Sequence, residues 1–341
     1  MTQSASAIAR RVLVLAWLAA GAALVAGGSA TAQTPPAPPS GKVHRIGIVS
    51  PTSQFPEVTD ALRQGLRELG YVEGRNLVIE TRYAHGRPER LPELVGELLQ
   101  LKVDVLMSGA TSGVLAAKQA TGTVPIVFAT VFDPVGAGIV PSLARPGGNV
   151  TGLAIGISGE GLGGKWVQLL SDIVPGLSHV SVLWNAANPS STVYVREVQA
   201  AARALNVKVD VLDARNAAGL EHALAGIEGG PGRGIVVTPD PYFHSQRARL
   251  TQHFEKKRLP AIYFSKLFAD AGGLVSYGAS FEDSWRRAAA YVDKILKGTN
   301  PGDLPVEQPK TFELVINRKA ATRLGLTIPA LVEQRADLVL R

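Results

Sequence analysis

Residues 125–156 read PIVFATVFDPVGAGIVPSLARPGGNVTGLAIG. The run opens as an apolar, β-branched strand over 125–130 and stops at Asp133 and Pro134, where proline cannot donate to a ladder. A passage punctuated by Gly and Pro follows, and a second β-rich run covers 150–157. Strand and helix patterns alternate on both sides of it, so the stretch closes one α/β unit and opens another. That arrangement predicts a two-lobed binding protein, with part of the cleft floor and the first crossover supplied here.

Working outward, the N-terminal side reads as a strand over 43–50, a helix over 60–70 capped by Asp60, and a strand over 76–83. A helix over 91–101, with Leu94, Val95, Leu98 and Leu99 at helical spacing, a short buried strand over 104–107 and a helix over 111–120 follow. Beyond the central stretch, helices are predicted over 165–174, 193–205, 220–227, 245–258 and 285–296. Strands are predicted between them over 179–184, 208–212, 234–238, 261–264 and 273–277, with a last strand over 311–317 after the Pro-rich connector 301–309. This is the grammar of doubly wound parallel sheets. Two similar halves and a tail that returns to both predict discontinuous lobes: 43–154 with 268–304, and 155–267 with 305–341.

The chain has 341 residues, 46% apolar and 18% charged, ordinary for a folded α/β protein of two domains. Arg10 and Arg11, the apolar run 12–26 and the small residues Ala30 and Ala32 follow the order of an export signal. Residues 1–32 are therefore expected to be a cleaved signal peptide, 33–42 a Pro-rich linker, and the mature protein periplasmic. No cysteine is present, which excludes a lipid anchor through an N-terminal Cys, disulfides and thiolate metal sites. The net charge is +7, of which the leader arginines supply two, leaving +5. That surplus is scattered, and Lys256-Lys257-Arg258 suits a helix end better than a nucleic-acid patch. Gly159 to Lys165 nearly spells a phosphate loop, but Trp166 stands where Ser or Thr would bind magnesium. The six His are dispersed without metal-ligand spacing, and no nucleophile elbow or carboxylate pair occurs. No cofactor, metal or catalytic residue is expected.

Ligands of doubly wound sheets bind beyond the carboxyl ends of the strands. That rule selects Ser50 and Gln54 after the first strand, Ser108, Ala110, Thr111 and Ser112 after the third, and Thr130 and Asp133 after the fourth. From the second half it selects Trp184, Asn185, Asn188, Asp240, Tyr242 and Phe264. Small hydroxylic residues at a helix start leave backbone N–H groups free for a carboxylate. Asp240, stiffened between Pro239 and Pro241 and poorly placed as a helix cap, could pair with an ammonium group or simply form a turn. Aromatic residues at the strand ends, Phe243 and Phe268 among them, are mostly core, with one or two available to cover a flat ligand.

The segments DPVGAGIVPSLARPGGNVTG (133–152), LRELGYVEGRNLVIETRYAHGRPERLPELVGEL (66–98) and TFELVINRKAATRLGLTIP (311–329) resemble the ABC-transporter substrate-binding family whose better-understood members bind tryptophan and related aromatic amino acids. FADAGGLVSYG (268–278) and YVDKILKGTNPGDLPVEQP (291–309) extend the resemblance over the mature chain. It implies a type I periplasmic-binding-protein fold, two doubly wound parallel-sheet lobes on a three-crossover hinge. It further implies a monomer that closes on a small-molecule ligand and hands it to an ABC permease in the inner membrane. A ligand-sensing module signalling to a membrane sensor has the same signature. An exported α/β enzyme would need a nucleophile or metal constellation, and a DNA-binding regulator a headpiece where the leader sits.

Overall fold

The computed structural model describes residues 41–156, 161–309 and 312–341. The expected leader, the linker up to residue 40, residues 157–160 that begin the Gly-rich loop, and Thr311 lie outside the described residues.

The first sheet contains β1 (His44–Ser50), β2 (Leu77–Tyr83), β3 (Val105–Ser108), β4 (Ile126–Phe132) and β5 (Val150–Gly156), in the order β2-β1-β3-β4-β5. Every pairing is parallel. β3, β4 and β5 are buried along their whole length, as their continuous apolar runs require of strands covered on both faces. Helices α1 (Pro56–Glu68), α2 (Leu91–Gln100) and α3 (Thr111–Ala120) do part of the covering. Leu94, Val95, Leu98, Val114 and Phe128 fill one face, and Ile46, Ile48, Leu62, Leu66 and Val292 the other. Residues 133–149 join two parallel strands without a helix; buried Ile139 and Val140 fill that place. Where β4 and β5 slip register, Gly152 has φ +152° and a Cβ there would lie 2.0 Å from the Phe128 carbonyl oxygen. Only glycine fits.

The second sheet has seven strands. After α4 (Leu162–Ile173) come β6 (His179–Trp184), α5 (Ser191–Ala204), β7 (Lys208–Asp213), α6 (Ala217–Gly226) and β8 (Arg233–Val237). Then follow α7 (Pro241–Ser245), α8 (Arg247–Lys256), β9 (Ala261–Tyr263), α9 (Lys266–Asp270) and β10 (Val275–Gly278). The order β7-β6-β8-β9-β10 repeats that of the first sheet. The chain then leaves: α10 (Phe281–Leu296) packs through Trp285, Ala288 and Val292 on the first sheet. It returns as β11 (Glu313–Asn317), antiparallel to β10, and after α11 (Arg318–Arg323) and α12 (Ala330–Gln334) ends in β12 (Leu338–Leu340), parallel to β11.

Several expectations need correction. Residues 268–278 belong with the second sheet, since Phe268 and Val275 lie in its core and β10 pairs with β9. The chain therefore changes lobe at 279–280. At the other end, Glu307 still bridges to Leu153 of the first sheet. The helix expected from Asp60 starts one turn earlier, with Pro56 in its first turn, where a missing N–H costs nothing. The helix expected over 245–258 spans Arg247–Lys256, and an unexpected short helix, Pro241–Ser245, precedes it across Gln246. β12, three residues long, is too short to show a period.

A candidate ligand cleft between the lobes

The carboxyl ends of β1, β3 and β4 face the loops after β6, β8 and β9, and a cavity lies between them, lined from both lobes. It leaves about 80 Å³ for the centres of water-sized molecules, several times the ~10–15 Å³ that one water needs.

Asp240 contributes the polar end of the second lobe. It is 5% exposed. Contrary to expectation it caps a helix: its Oδ1 accepts the Tyr242 N–H at 2.8 Å, with Pro241 opening α7. Proline there fixes a helical φ and leaves no donor to satisfy, so it favours the cap. Oδ2 accepts Asn185 Nδ2 at 3.1 Å and Asn188 Nδ2 at 2.9 Å. Burial pushes the Asp240 carboxyl above the usual range, while the donors from Asn188, Tyr242 and Asn185 act in the opposite direction. All of its hydrogen-bond partners are neutral, and among the described residues it forms no ion pair.

The first lobe contributes α3. Ala110 is its N-cap, without a side-chain cap bond, and Ser108 Oγ accepts the Ala110 N–H at 3.3 Å. The first bond into the helix is Val114 N–H to Ala110 O, so the Thr111, Ser112 and Gly113 N–H groups have no helical acceptor. The positive end of the helix dipole therefore faces the cavity from the lobe opposite Asp240.

Between these two poles the wall is aromatic: Phe55, Phe264, Phe281, Trp285 and the His244 imidazole line it. Phe55, the N-cap of α1, stacks on His244 across the cleft at 4.6 Å and 11°. The lobes also meet through Thr111 Oγ1 and Ser190 Oγ at 3.2 Å, Ser190 Oγ donating to Phe132 O at 3.2 Å, and Arg247 Nη2 to Glu57 Oε1 at 2.7 Å. The last pair is part-exposed, at 24% and 33%, and worth about 0–1 kcal/mol. Glu57→Gln should therefore weaken ligand affinity by no more than about fivefold in a titration; a tenfold loss would mean the pair dominates closure.

Of the residues selected from sequence, Ser50, Ala110, Thr111, Thr130, Asn188, Asp240 and Phe264 line the cavity. The others sit elsewhere. Ser108 faces its own helix start, and Gln54 and Ser112 are exposed. Asp133, at φ 42°, accepts the Gly136 N–H within a turn. Trp184 packs on the second core, Asn185 supports Asp240, and Tyr242 reaches Asp240 through its backbone. Phe243 and Phe268 are fully buried core. The cavity also takes Phe55, Tyr83, Phe132, Ser190, His244, Phe281 and Trp285, which strand-end reasoning did not select. Phe281 and Trp285 enter only because α10 crosses back to the first sheet. No group of three or more potential metal ligands occurs among the described residues, and none of their helices is long and apolar enough to cross a membrane.

Residues 43–340 match the family model described as ABC transporter substrate binding protein. A tyrosine-binding protein of Clostridioides difficile is 25% identical over 290 residues, covering 84% of this chain and 82% of its own. Among solved structures, a conserved domain protein from Vibrio cholerae is 30% identical with a TM-score of 0.79, covering 87% of this chain and 100% of its own. The ABC domain from Streptococcus pneumonia, solved in complex with L-Trp, is 24% identical with a TM-score of 0.77, covering 88% and 100%.

Proposed function

This chain belongs to the ABC transporter substrate-binding protein family, and we propose that it is the periplasmic receptor of an importer, closing on an amino acid with an aromatic or branched side chain. Its fold is the type I periplasmic-binding one. The observation that carries the ligand class is Asp240: a carboxylate buried in the cavity, without an ion pair among the described residues. Burying an unpaired charge is costly, and a ligand ammonium removes that cost. The α3 N-terminus takes the ligand carboxylate, and the aromatic wall takes its side chain. The names of two similar proteins, tyrosine-binding and in complex with L-Trp, point the same way.

The lobes close by turning about the chain crossings between them, the one at 279–280 lying among the described residues. Differential contacts with the ligand set the extent of closure, and the closed monomer delivers its cargo to an inner-membrane permease. The test is a thermal-shift panel of amino acids, small organic acids and sugars. A ligand at about a hundred times its Kd adds about 2.7 kcal/mol of stability. Hits among aromatic or branched amino acids support this reading. Hits confined to sugars or non-amino acids contradict the ligand class.

A pH dependence follows. Because burial raises the Asp240 pKa in the free protein, the carboxyl favours folding while protonated, and that contribution is lost as pH rises through the raised value. An ammonium ligand favours the ionised form. Affinity should therefore fall as pH drops through the raised value and level off above it, with Asp240→Asn flattening the curve. A flat wild-type profile between about pH 4 and pH 8 would contradict the pairing.

A further inference from the structure

His244 is 3% exposed, lines the cavity, and has apolar rings on several sides. Phe55 stacks on it at 4.6 Å, Phe281 meets it edge-on at 5.5 Å and 90°, and Phe268 and Phe264 lie at 6.1 and 6.2 Å. Its Nε2 is buried and has no hydrogen-bond partner among the described residues. Burial, reinforced by the Arg247 charge, lowers its pKa to about 3, so the ring is neutral, one nitrogen a donor and the other an acceptor. A phenylalanine would fill this place without burying an unsatisfied nitrogen, which costs free energy until a partner arrives. His244 itself lines the cavity, so a ligand held there meets the imidazole.

Building on the amino-acid reading above, we propose that His244 sets side-chain specificity: it favours an aromatic amino acid whose ring carries a hydrogen-bonding group, a phenolic hydroxyl first, over one with a bare ring. The backbone of the ligand lies at Asp240 and α3, and its ring lies among Phe55, Phe264 and Phe281 with the polar substituent at the imidazole. A site built around a hydrogen bond rejects the analogue that lacks it, because the buried group is then left unpaired. His244 is thus a specificity-determining residue and not part of the ammonium or carboxylate grip.

The test is calorimetric titration of L-tyrosine and L-phenylalanine into wild type, His244→Phe and His244→Gln, each checked for an unchanged melting transition. Wild type should prefer tyrosine by about tenfold or more. His244→Phe should lose that preference while holding phenylalanine within about threefold, and His244→Gln should recover part of it. A wild type indifferent to the hydroxyl, or a preference that survives His244→Phe, overturns the inference and leaves the amino-acid reading standing. Failure of wild type to bind either ligand overturns the inference, and the amino-acid reading falls with it only if tryptophan and the branched amino acids also fail to bind.

Discussion

Asp240→Ala is expected to weaken an amino-acid ligand by about 30-fold to several thousand-fold, the ~2–5 kcal/mol typical of removing one partner from a buried, hydrogen-bonded charge pair. Most of that loss is the ligand ammonium left in a desolvated cleft with nothing to neutralise it. The substitution also frees the Asn185 and Asn188 amides and uncaps α7, so a fall in stability of about 0.5–2 kcal/mol should accompany it. Asp240→Asn keeps an oxygen to cap α7, although an amide donor then replaces the Oδ2 that accepts the Asn185 and Asn188 amides; with the charge gone, affinity should still collapse. Calorimetric titration of all three proteins at one pH decides it. An alanine variant that binds within threefold of wild type would mean that the ammonium sits elsewhere.

The second large effect belongs to Gly278→Ala. Gly278 ends β10 immediately before the chain crosses to the first lobe, and a Cβ there would lie 1.8 Å from the Phe264 carbonyl oxygen. No rotamer relieves a clash with backbone, so either the strand end or the Phe264 loop must move. The expected destabilisation is about 3 kcal/mol or more, a fall in Tm of about 6 °C or more for a chain of this size. Because Phe264 also lines the cavity, ligand affinity should fall with it. Gly96 is the control: it lies inside α2 with no heavy atom within 4 Å of an added Cβ, so Gly96→Ala should be neutral or stabilising by about 0.4–1 kcal/mol. Equal melting of the Gly278 and Gly96 variants would contradict the close approach at the crossover.

These two positions mark what sequence alone makes legible here. Alternation of strand and helix places β1 to β10 near their observed ends, because continuous apolar runs and 3.6-residue periods are local properties. The rule that ligands lie beyond strand ends then finds Ser50, Thr111, Asn188 and Asp240 without any knowledge of packing. Sheet membership is different. Nothing within VSYG says whether it pairs with β9 or returns to the first sheet, since both offer the same parallel ladder, and the lobe boundary differs from the expected one for that reason. The cavity wall is hidden for a related one: Phe281 and Trp285 line the cavity only because α10 packs on the sheet its own strand did not come from. Reading Pro239-Asp240-Pro241 as stiffness missed that a proline following Asp makes a good first helical residue, which the cap geometry makes plain.

We propose that the cleft holds a zwitterion, with its amine at Asp240 and its carboxylate at α3. The measurement that addresses it most directly compares L-tyrosine with tyramine, which lacks the carboxylate, and with 3-(4-hydroxyphenyl)propionate, which lacks the amine, by titration calorimetry on the purified protein. Binding of tyrosine at least about a hundredfold tighter than either analogue, a loss of about 2.7 kcal/mol for each missing charge, is the predicted result. A deaminated acid that binds as tightly as tyrosine would contradict it.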